Sequence, residues 1–185
     1  LSCSSSIMGG KSITARTVIL SVRHPILGDY VVPSGLKLDN ALWAFALEIY
    51  PSVVQPMLSI QSQGGRVNLM LAALWAASEQ IEWPDSLPDA IESWHQKILP
   101  IRSHRMSLKS QLEDYPELES LYQHLKGVEL NMERVEIAML YQWLASKKKA
   151  NHSVTALSNL ERVLVGINRI DLEKMAILQQ FNPSA

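Results

Sequence analysis

Apolar residues recur every three or four positions from residue 39 onward, and the spacing resolves into helices. In DNALWAFALEIY (39–50), Leu42, Trp43, Phe45, Ala46, Ile49 and Tyr50 share one side of a helix that Asp39 is placed to cap. Pro51 is expected to stop it, because proline has no N–H to give and crowds the carbonyl four residues back. PSVVQPMLSIQSQGG then reads as a second short helix with proline in its first turn, ended by Gly64 and Gly65. The third, RVNLMLAALWAASEQ (66–80), is apolar on nearly every side, the mark of a central helix surrounded by others. A fourth begins near Pro88 and runs to Lys109, with Pro100 expected to kink it. YPELESLYQHLKGVELNMERVEIAMLYQWLAS gives a long fifth helix with Pro116 in its first turn. Two short helices close the chain, VTALSNLERVL and DLEKMAILQQF, the second capped by Asp171.

No strand signal of weight follows residue 33, so the fold class is all-α: a single domain over residues 34–185, a bundle of about seven helices with short loops. Residues 1–33 differ from the rest, with no acid before Asp29 and one short β-prone run, TVILSV. They read as a disordered or non-native N-terminal extension, with Met8 a candidate later start; their acid-poor, Ser- and Arg-containing character only superficially suits a transit peptide.

Charge sharpens the picture. Residues 1–37 hold four Lys/Arg against Asp29 alone, which leaves 13 Lys/Arg against 17 Asp/Glu in the remainder. A mildly acidic body without an aromatic-interleaved basic stripe gives little footprint for phosphates, so no nucleic-acid partner is expected. Cys3 is the only cysteine, which gives neither a disulfide framework nor a cysteine zinc site and fits a reducing compartment. The longest greasy block, Val67 to Ala77, is about half a membrane span, so a soluble protein with no membrane span is expected.

Charged residues on two apolar faces carry the candidate chemistry. In WHQKILPIRSHRMSLK (94–109), Trp94, Ile98, Ile101 and Leu108 form a stripe that contains Arg105, while His95, Arg102 and Lys109 line its edge. On the fifth helix Glu129 and Glu136 sit seven residues apart near the centre of a face made by Leu118, Tyr122, Leu125, Met132, Met139, Leu140 and Trp143. A guanidinium in a core-facing position needs a carboxylate. The expectation is therefore that the fourth and fifth helices pack together, with Arg105, joined by Arg102, pairing with Glu129 or Glu136. Loss of Arg105 from a buried pair would cost about 3 to 5 kcal/mol. The alternative is a pocket between these helices, with Arg102 and Lys109 holding an anion and His95 moving a proton. Asn68, on the greasiest helix, needs partners for a buried amide and reads as a hydrogen bond to a neighbouring helix. Trp43, Trp75, Trp94 and Trp143 occupy core positions, and Trp83, before Pro84, reads as a surface anchor.

Common enzyme signatures are missing: no G-x-x-x-x-G-K-[ST], no G-x-G-x-x-G after a strand, no G-x-S-x-G elbow. Glu129, Glu133 and Glu136 lack the Glu-x-x-His pattern of di-iron bundles, so neither a metal nor a cofactor is expected and no catalytic residue is assigned. Leu42, Trp43, Phe45, Leu47 and Tyr50, then Gly64 or Gly65 with Val67, Asn68 and Trp75, then Trp94, His95, Arg102, Arg105, Leu108 and Lys109 form a familiar series. Over about residues 36–145 it resembles a family of small helical gammaproteobacterial proteins of unknown function, with L-W-x-F-x-L-x-x-Y, G-x-x-V-N-x-L-L-x-x-x-W and W-H-x-x-x-x-x-x-R-x-x-R-x-x-L-K segments. The resemblance implies a bacterial cytoplasmic protein and transfers no activity. The reading from the residues is a non-enzymatic module that binds another protein. The alternative is a small-molecule or anion-binding helical protein, an enzyme included, with its pocket between the fourth and fifth helices.

Overall fold

The buried stripe of the first helix runs straight through both of its prolines. In the computed structural model, which describes residues 35–164, Ala41–Gln61 form one helix, α1, with Pro51 and Pro56 inside it. The expected break at Pro51 does not occur. Leu42, Ala46, Val53, Met57 and Ile60 are buried along both halves, so bending at the proline would expose half of that stripe. Pro51 itself is exposed, and Leu47 and Ser52, whose carbonyls lose their usual N–H donors, also face water. The cap differs as well. Asn40, not Asp39, accepts the Trp43 backbone N–H at 2.9 Å, and Asp39 pairs with Arg134. At the far end the Gly64–Gly65 pair does terminate the helix, as expected: Gly64 is left-handed at φ 99°, and the Gly65 N–H bonds the Ile60 carbonyl at 3.0 Å.

Val67–Ser78 form α2, whose residues Met70 to Ala77 are buried without interruption, and it packs against α1 and two later helices. Its alanines leave room for that. Asp89–Lys109 form α3, which passes through the exposed Pro100 without ending. A short 3-10 turn at Pro116–Leu118 leads into α4, Glu119–Ala145, which packs along α3 as a hairpin. Ala156–Val163 form α5, capped by Thr155, whose side-chain oxygen accepts the Ser158 N–H at 3.1 Å. α5 lies against α2.

Among the described residues there are five α-helices and no strand, so the all-α class holds but the count of about seven does not. One of the two missing helices came from dividing α1 at Pro51. The other, DLEKMAILQQF, lies outside the described residues, as does the N-terminal extension 1–33. No described helix is long and apolar enough to cross a membrane.

Trp83 is not a surface anchor: it is 5% exposed, set edge-on against Trp143 with ring centroids 5.3 Å apart. Asn159 of α5 is fully buried and holds the chain there by accepting the Trp83 N–H at 2.8 Å and donating to the Ile81 carbonyl at 2.9 Å. At the other end of the molecule the α3–α4 hairpin outruns the core. No residue of 102–109 or 119–128 is buried, so its outer part stands as an arm of two helices.

Candidate functional site

At the base of that arm Glu129, Glu133 and Glu136 project from α4 at i, i+4 and i+7, toward α3 and the start of α2. Both ends of this acidic row are buried, Glu129 at 5% and Glu136 at 2% exposure. Glu129 accepts from Arg102 Nε at 2.8 Å and from Arg105 Nε. Arg102 reaches across with Nη2 to Glu133 at 2.5 Å, so one guanidinium bridges two carboxylates. The expected Arg105–Glu129 pairing between these helices is thus present, with Arg102 sharing it.

Glu136 is held by a different set. Arg66 Nη2 donates to Oε1 and Asn68 Nδ2 to Oε2, each at 2.7 Å, and His95 Nδ1 lies 3.0 Å from Oε1. An ionised carboxylate only accepts, so the ring proton of His95 sits on Nδ1. Arg66 uses its other terminal nitrogen on Glu92 at 2.6 Å, tying α3 to the residue that precedes α2. Asn68 therefore does meet a neighbouring helix, through a side chain and, at 3.4 Å, the Glu133 carbonyl. Trp94 Nε1 donates to the Met132 carbonyl at 2.9 Å and fixes the register between the two clusters.

The surroundings pull the three acids apart. Burial alone pushes Glu129 up, but the hydrogen bonds and charges of Arg105 and Arg102 outweigh it and hold the carboxyl below the ordinary range. Glu136 behaves the same way: burial raises it, and hydrogen bonds from His95 and Asn68 with the Arg66 charge bring it down. Glu133 goes the other way. Burial is the largest influence, Arg102 opposes it, and the charges of Glu129 and Glu136 add to it, so its carboxyl lies above the ordinary range. Tyr50 of α1 stands close enough to feel this charge, its hydroxyl pushed up by burial and then by Glu133.

Of the residues singled out in the sequence, Asn68, His95, Arg102, Arg105, Glu129 and Glu136 meet in this network. Lys109 does not; it is exposed in the last turn of α3. Arg66, Glu92 and the pairing role of Glu133 were not visible in the sequence pattern. Every guanidinium in the network faces a carboxylate at contact distance, although the buried Nε of Arg66 has no hydrogen-bond partner, so both arginines between α3 and α4, Arg102 and Arg105, are already engaged by carboxylates. Two surface clefts lie elsewhere. One of about 300 Å³ is walled by Leu69, Trp83, Leu87 and Val163, and one of about 250 Å³ by Trp75, Ile81, Tyr141, Lys147 and Lys149.

The elements that build this network fall within a family match. A family model described as "Protein of unknown function (DUF2390)" matches residues 41–140. The chain belongs to DUF2390. The match runs from the first residue of α1 into the last third of α4 and takes in every member of the network, while α5 lies beyond it. Neither the curated proteins nor the solved structures give a match. Within this DUF2390 chain the network links the start of α2 to α3 and α4, and the family match bears out the resemblance to a family of unknown function.

Proposed function

We propose that the chain is a non-enzymatic helical module that binds another protein through the outer face of α1, with the Arg–Glu network as the clamp that sets the helices behind that face. The supporting observation is an outward row on α1. Leu47, Tyr50, Val54 and Leu58 follow one another at i, i+3, i+7 and i+11, the spacing at which one helix receives another, and Leu47 and Leu58 are 59% and 42% exposed. Charge is depleted there too: Glu48 is the only charged residue in the 21 residues of α1. A partner suited to this row is an amphipathic helix with a neutral apolar seam, since a charged one would lose water without gaining a counter-charge. Tyr50 touches the electrostatics of Glu133, so the row and the clamp adjoin.

The pocket reading has less to support it, because Arg102 and Arg105 are committed to carboxylates and Lys109 lies away from them. One cysteine in the whole chain fits a reducing, cytoplasmic setting.

A photo-crosslinking amino acid placed at Leu47 or at Leu58, with Glu161 on α5 as the control position, tests the reading in cells. The same protein partner is expected from both α1 positions and not from Glu161, and Leu47→Glu with Leu58→Glu should abolish its capture at unchanged melting temperature. Labelling that is identical at all three positions, or capture that survives the double substitution, refutes it.

A further inference from the structure

The cleft beside Trp75 and the tip of the arm are chemically complementary, and they sit at opposite ends of the same helix. The cleft has an aromatic floor, Trp75 and Tyr141 with ring centroids 5.3 Å apart, and at its rim Lys147 and Lys149 outnumber the single acid, Glu79. Lys147, Lys148 and Lys149 are three successive exposed cations on a body that is otherwise acidic. Their internal contacts are weak ones: Lys149 lies 3.3 Å from the half-exposed Glu79, and Lys147 rests over the Trp143 ring at 5.5 Å. The arm tip is the reverse. Glu113, Asp114, Glu117 and Glu119 are all exposed within seven residues, with no cation among residues 110–121, and in their midst Tyr115 is 53% exposed. A solvated tyrosine flanked by acids is the shape and charge that an aromatic-floored, lysine-rimmed cleft accepts.

The tip cannot reach the cleft of its own chain. α4 begins just after the tip and ends at the cleft, and its 27 residues at about 1.5 Å each hold the two about 40 Å apart. We infer that the cleft at the C-terminal end of α4 receives the acidic, Tyr115-bearing tip of a second copy of this chain, in a reciprocal antiparallel dimer. The symmetry closes by itself. If one tip reaches its partner's cleft with the two α4 helices antiparallel, the two-fold axis brings the other tip to the other cleft at the same separation. Two small contacts then act as one, since the second forms within the complex already held by the first. This association uses the arm and the end of α4, not the outer row of α1, so it stands apart from protein binding through α1.

Sedimentation velocity on the full chain, with and without added salt, reads the outcome. Wild type is expected to dimerise in a concentration-dependent manner and to be weakened by salt. Lys147→Glu with Lys149→Glu, and separately Glu113→Lys with Asp114→Lys, should each weaken the dimer by at least about a hundredfold while the helical circular dichroism stays that of wild type. An equimolar mixture of the two variants should regain the dimer, because each reversed tip then meets a reversed cleft. A wild type that stays monomeric to about 100 µM overturns the inference. So does a dimer that survives both charge reversals, or a mixture that fails to recover it.

Discussion

Glutamine at position 136 keeps the shape of the side chain and takes away its charge, while Arg66, Asn68 and His95 still point donors at it. At 2% exposure Glu136 has no water to replace what is lost, and one face of the new amide presents N–H to groups that are themselves donors. Removing one partner of a buried pair costs about 3 to 5 kcal/mol. Arg66 retains Glu92 and is 17% exposed, which places the expected loss for Glu136→Gln near the lower end, about 3 kcal/mol. For a chain of 185 residues that corresponds to a fall in Tm of about 6 to 12 °C. Glu133→Gln, one turn away, is expected to do the opposite. Its carboxyl is held above the ordinary range by burial and by Glu129 and Glu136, so its ionised form works against folding at neutral pH, and Arg102 keeps Glu129 when it goes. That variant should match wild type or gain up to about 1 kcal/mol. Urea titration followed by tryptophan fluorescence, with thermal unfolding by circular dichroism, measures both. Equal losses for the two variants, or a Glu136→Gln within about 0.5 kcal/mol of wild type, would refute the assignment of roles within the acidic row.

Acid should unfold the clamp from its two ends. Glu129 and Glu136 have folded pKa values below the ordinary range, so they contribute stability above it and lose that contribution as pH falls through their folded values; Glu133, shifted upward, gains as pH falls. Stability measured against pH should therefore drop less steeply in the Glu129→Gln background, and a wild-type profile flat through the carboxylate range would contradict this. Arg105→Ala is expected to cost about 2 kcal/mol rather than the 3 to 5 of a sealed pair, since Arg105 is 18% exposed and Arg102 still serves Glu129. Arg102→Ala should cost more, because it strands Glu133 as well, and the order is checked by urea midpoints of the two variants. Asn159→Ala leaves the Trp83 N–H without its acceptor inside the core and should cost about 3 kcal/mol, read as faster hydrogen exchange at Trp83 and lower Tm.

How much of this was written in the sequence depends on the range over which each signal acts. Apolar spacing is local, and it located α2, α3, α4 and α5 and the face on which Glu129 and Glu136 stand. Proline is also a local signal, and it misled at Pro51, because the decision there belonged to Val53, Met57 and Ile60, which bury only against other helices. The same non-local term brought Trp83 inside, where Trp143 and Asn159 meet it from 60 and 76 residues further along the chain. The network divides along this line. Arg105 could be matched to Glu129 because both broke the pattern of their own helices, so each announced a missing partner. Arg66 broke no pattern. It stands outside α2, where a charge is unremarkable, and only the turn at Gly64–Gly65 aims it at Glu136. A charge that violates a face can thus be paired from sequence, whereas a charge that a turn delivers to a face cannot. Gly65 is where that delivery is fixed: a Cβ there would meet Ile60 Cγ2 at 2.5 Å, so Gly65→Ala must displace either the end of α1 or Arg66 itself. If the turn has the role assigned to it, Gly65→Ala and Arg66→Ala should show losses that fall short of additive in the double variant, by about 1 kcal/mol. Full additivity would mean that Arg66 finds Glu136 without the turn.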